Sequence, residues 1–111
     1  MVILTATLTL FGCATVHYGR EQPVIPEERA AFNCPTIALE IAKCDAFTRN
    51  VYTEWDDAKG RRFIADMNDF GIGNHMERGD ALESASNRRA DLVSVSQAKG
   101  CPTPPPAPKD D

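Results

Sequence analysis

Basic charge is missing from the start of this chain, and aromatic residues are scarce throughout it. Aromatics make up 7% of the 111 residues, so a large core is excluded and the chain is one small domain at most. A domain of that size is marginal without a staple. The net charge of -4 argues against a nucleic-acid surface, which needs clustered Lys and Arg. No apolar run reaches the ~20 residues that cross a bilayer. There is no Cys-x-x-Cys, and Cys44 has only Lys43 and Asp45 beside it, so a reactive thiol is not expected. His17 and His75 stand far apart, one in a polar segment and one at an expected helix start, which is no metal set. "GIG" at 71–73 lacks the third glycine and the preceding strand of a nucleotide loop and reads as a turn. "EWDD" and "DMND" read as acidic turns and solvated faces, and no Ser-His-Asp or Cys-His pairing is suggested. No catalytic residue, cofactor, metal or small-molecule substrate is therefore expected, and no internal repeat is present.

What is there begins with the uncharged stretch 1–16, after which charges recur every few residues. "MVILTATLTLFG" has the length of the apolar region of a secretory signal. The positive region that ordinarily opens such a signal is missing, so either the true start lies upstream of Met1 or the stretch is not a signal. "LFGC" resembles the lipobox of bacterial lipoproteins, with Leu10, Gly12 and Cys13 on the pattern and Phe11 bulkier than usual. The resemblance implies cleavage before Cys13, a diacylglycerol on its thiol and a further acyl group, such as palmitate, on its new amine. Several acyl chains, at ~0.8 kcal/mol per buried methylene, make a stable membrane anchor. Ala14, where an Asp would favour retention in the inner membrane, implies the outer membrane, facing the periplasm. That compartment is oxidising, so the other cysteines can pair.

Residues 14–33 contain two prolines and scattered charge without a sustained period, and read as a disordered tether. Next, Ile37, Ile41, Cys44, Thr48, Val51 and Trp55 recur at spacings of 4, 3, 4, 3 and 4, an apolar helical seam broken only by Thr48. Pro35 suits the first turn of that helix, with Asn33 or Cys34 as its cap; Gly60 weakens it near its end. Phe63, Ile64, Met67 and Phe70 fit another two turns, a short third helix in the connection. A second long helix follows, with Asn74 and Glu77 in a capping-box pattern. Leu82, Ala85, Leu92 and Val95 form its stripe, widened by Ala81, and Lys99 and Gly100 supply its stop. Small residues at Ala81, Ser84, Ala85 and Ser86 permit close helix approach. The tail "PTPPPAPKDD" has five prolines in ten residues and should be extended.

Placed antiparallel, the two helices bring Cys34, at the start of the first, beside Cys101, just past the end of the second. A bond there would enclose a loop of about 67 residues, for which the loop-entropy model gives roughly 4 kcal/mol. Cys44 cannot pair with Cys34, since ten helical residues separate their Cα atoms by ~15 Å and a disulfide needs under ~7 Å. The register puts Cys44 opposite about Asp91, next to Leu92, on the apolar seam. It reads as a buried thiol, or, as the odd cysteine after lipidation, as an intermolecular one. Arg88 and Arg89 interrupt the second stripe. They snorkel, pair with Glu40 or Asp45 across the hairpin, or mark a partner contact.

The pattern "NC…IALEIAKC" followed by "GIGN…ALESASNRRADL…KGC" is similar to a set of small bacterial lipoproteins that share a lipobox, a tether and two cysteine-flanked helices. The matching positions are Cys13, Cys34, Gly71, Gly73, Asn74, Ala81, Ala85, Arg88 or Arg89, Leu92, Gly100 and Cys101. The resemblance covers most of the chain beyond the signal and implies no activity to carry over. The expected organisation is a lipoprotein-type signal over 1–12, the lipidated cysteine and tether over 13–33, an all-α antiparallel hairpin over 34–101 and a proline-rich tail over 102–111. The expected function is a non-enzymatic envelope lipoprotein, a small structural or interaction module with a protein partner of unknown identity. The alternative is a lipoprotein subunit of a secretion, conjugation or phage lysis assembly.

Overall fold

The computed structural model describes residues 17–57 and 72–110. The lipobox with Cys13, Gly60, the turns expected at 63–70 and Gly71 lie outside the described residues.

Helix formation follows the sequence closely where the apolar seam is regular. α1 is a single short helix, Pro26–Ala31; α2 runs over Cys34–Asp57 and α3 over Ile72–Ala98. The described residues contain no strand, and α2 packs against α3 as an antiparallel hairpin. Asn33 caps α2: its Oδ1 accepts the Thr36 backbone N–H at 3.0 Å and the Thr36 hydroxyl at 2.8 Å, meeting donors that the first turn cannot satisfy internally. α3 ends in a Schellman turn. The Cys101 N–H donates to the Ser96 carbonyl at 2.9 Å and the Gly100 N–H to the Gln97 carbonyl at 3.1 Å, around Gly100 at φ +70°.

The seam of α2 is buried at Ile37, Ile41, Cys44 and Val51, with Thr48 and Trp55 half-buried. On α3 the buried positions are Asn74, Ala81, Ala85, Arg88, Leu92, Val95 and Ser96. Leu82, expected on that stripe, is half-buried and Ala81 takes the inward place. Val51 on α2 and the small side chains Ala81 and Ala85 on α3 are all buried.

Two expectations are corrected. Asn74 does not start the second helix: α3 begins by Ile72, Asn74 is buried at 1% exposure, and the Glu77 carboxylate turns to other donors. Those donors come from the N-terminal segment, so residues 17–33 are not a free tether. The Tyr18 N–H and both Arg20 Nη atoms donate to Glu77 at 3.0 Å, and the Glu21 N–H donates to Ser84 Oγ at 3.0 Å. Val24 joins Ile37, Ile41, Cys44, Leu92 and Val95 in the core. The segment is thus a strap laid along α3, and α1 forms at its end because Pro26 sits at the first helical position and Glu28 accepts the Ile25 N–H at 3.2 Å. The proline tail is likewise held: Pro105 O accepts from Arg89, and Asp110 pairs with Arg78.

Candidate functional site

The cap at Asn33 and the Schellman turn at Gly100 each fix the residue that follows them. Those residues are Cys34 and Cys101, and their Cα atoms lie 5.4 Å apart, joined by a disulfide that spans 67 residues of chain. Lys99 adds a second tie at the same end by donating to the Phe32 carbonyl, at the junction of α1 and α2.

Cys44 is a free thiol with 1% exposure, in the middle of the seam. Burial pushes it up to about 11 from an ordinary 9.0, because the thiolate would lose its hydration. In this fold the sulfur is not presented to a second chain, so the reading as a buried thiol holds.

Arg88 and Arg89 both form the cross-hairpin pairs expected of them, and they do so on two flanks. Arg88 Nη2 lies 3.0 Å from Glu40 and 3.0 Å from Glu28, and its Nη1 donates to the Gln22 carbonyl at 3.2 Å. It therefore joins α2, α3 and the strap at one buried point. Its guanidinium is held protonated more firmly than usual, first by the bond to Glu28. Glu28 is held below the usual carboxylate range chiefly by Arg88, and Glu40 by Lys43 and then Arg88. Arg89 Nε donates to Asp45 at 2.7 Å, and its Nη2 reaches the Pro105 carbonyl of the tail. Glu40 and Asp45 flank the α2 seam on either side, being five residues, about 500°, apart on the helix. Consecutive arginines thus clasp the N-terminal strap and the C-terminal tail.

Glu77, the strap's partner on α3, and Glu28, the strap's own link to Arg88, escaped the sequence reading. A proline-punctuated charged segment has no period to reveal what it packs on. The one available signal was Pro26 with Glu28, an entry to a short helix.

At the far end of the hairpin the Arg78 guanidinium lies 5.2 Å from the Trp55 ring centre and 5.4 Å from that of Tyr52. His75 packs on Trp55 at 5.0 Å, and His17 is exposed. No group of three or more metal-type ligands occurs among the described residues, and no described helix is long and apolar enough to cross a membrane. Between α2 and the tail lies an apolar groove of about 540 Å³.

The chain matches no protein-family model, no curated protein and no solved structure.

Proposed function

We propose that this chain is a non-enzymatic lipoprotein of a bacterial envelope. Acyl groups on Cys13 would hold it to the outer membrane, facing the periplasm, where the hairpin serves as a small structural or interaction module. The observation that carries the reading is the Cys34–Cys101 disulfide. Such bonds persist in oxidising compartments and are rare where thiols are kept reduced. A chain exported through an uncharged stretch ending in Leu10-Phe11-Gly12-Cys13 would reach such a compartment. The arginine clasps support a structural role, since Arg88 and Arg89 are spent on intramolecular pairs. The test is palmitate labelling in a bacterial host. Cys13→Ser should abolish incorporation and release the protein from membranes. Labelling that persists in the variant overturns both the anchor and the outer-membrane address.

A further inference from the structure

The groove beside α2 has built walls. The Cys34–Cys101 bond lies at one end, and toward the other Arg89 ties Asp45 to the Pro105 carbonyl, so the tail is held at two points along a groove that Arg49 also lines. Ala38 and Ala42 lie exposed along the α2 side, above Ile37 and Ile41. Pro102, Pro104 and Pro105 face them from the tail.

This lining selects for hydrocarbon. The backbone amides of α2 are committed to the helix, and prolines have no N–H to offer. A polar occupant would find few donors there, Thr103 and Ser96 being the polar residues of the lining besides Asp45 and Arg49. The charge in the groove is asymmetric. Asp45 is buried and engaged by Arg89, whereas Arg49, one turn further along α2, is exposed and makes no ion pair among the described residues. From Ile37 to Arg49 the helix advances ~18 Å. A single acyl chain reaches ~15 Å, half the hydrocarbon thickness of a bilayer. The volume, about 540 Å³, falls in the range of small-molecule sites.

We propose that this groove binds a free long-chain carboxylate, with the hydrocarbon between Ala38, Ala42 and the proline tail and the carboxylate on Arg49. The site belongs to the folded hairpin and stands independently of any anchor on Cys13.

The test uses the full chain carrying Cys13→Ser, so that no attached acyl group competes. Sodium laurate is titrated by calorimetry, with dodecyltrimethylammonium as the cationic counterpart of the same chain length. One laurate should bind per chain, up to about fivefold tighter than the cation, as an Arg–carboxylate contact near the surface allows. Arg49→Gln should remove that preference. Ala42→Leu, at an exposed helical position of similar propensity, should fill the groove and block binding while the helical circular dichroism and the disulfide persist. Absence of saturable binding, equal affinity for the two amphiphiles, or unchanged binding by Ala42→Leu overturns the proposal. So does a dimer of the unliganded chain that Ala42→Leu dissociates, because the groove's occupant would then be a second copy.

Discussion

Cys44 shows what burial does to a reactive group. Four cysteines less the bonded pair and Cys13 leave it as the sole free thiol in a Cys13→Ser chain. With its thiol pushed up to about 11, roughly one molecule in a thousand is thiolate at pH 8, against about one in ten at the ordinary value of 9.0. Iodoacetamide at pH 8 should therefore leave the folded protein unmodified over the period that fully alkylates the urea-unfolded, unreduced chain. Equal rates would place Cys44 outside the core. Cys44→Ala should cost on the order of 1 kcal/mol, measured by urea unfolding, and leave the size on a non-reducing gel unaltered. Its position was legible because it shares a regular 4-3-4 spacing with Ile37, Ile41, Thr48 and Val51. Asn74 was misread for a related reason. Asn followed three residues later by Glu has the form of a capping box, but Glu77 meets Arg20, 57 residues away, and local pattern carries no trace of that distant guanidinium.

Helix ends decide whether the staple can form. Gly100 stands at φ +70°, where an L side chain costs ~1–2 kcal/mol, and its turn aims Cys101 back at Cys34. Gly100→Ala should destabilise the oxidised protein by about 1 kcal/mol. It should also raise the reduction potential of the Cys34–Cys101 pair, because the strain falls on the form in which Cys101 is held in place. Equilibrium with a glutathione buffer reads the second effect, and an unchanged potential would mean that the turn does not position the sulfur. Both helices and the meeting of their ends were legible from the apolar period, the proline at 35 and the Lys99-Gly100 stop. α1 was not, since six residues have too few turns to show a stripe.

The whole molecule is a hairpin between two ties, and its N-terminal strap is fastened by carboxylates. Glu28 is held below its ordinary 4.5 chiefly by Arg88, Glu77 by Arg20 and Glu40 by Lys43. A carboxylate depressed on folding contributes stability that is complete above its unfolded value and is lost as pH falls through the folded one. The strap should therefore loosen first below pH ~4.5, while α2 and α3, joined by the seam and the disulfide, keep their helicity. Amide protection across 18–32, taken relative to the intrinsic exchange rate at each pH and followed by mass spectrometry from pH 6 to pH 3, should fall before helical circular dichroism does. A single coincident transition would make strap and hairpin one cooperative unit. At the other extreme Cys44 acts oppositely: stability present below pH ~9 declines as pH rises toward 11. The strap's attachment was not legible, since its contacts join residues more than 50 positions apart, as in Glu21 with Ser84 and Arg88 with Glu28.

The disulfide has a mechanical meaning as well. A pull between the segment before Cys34 and the segment after Cys101 meets a covalent bond whose Cα atoms are 5.4 Å apart. The chain between them, both long helices included, lies on a bypassed loop and bears none of that tension. Such a load peels away the strap and the tail, whose ties are noncovalent, and stops at the sulfurs. A protein hauled from both sides would thus lengthen at its edges, and its core would hold its shape until it was reduced.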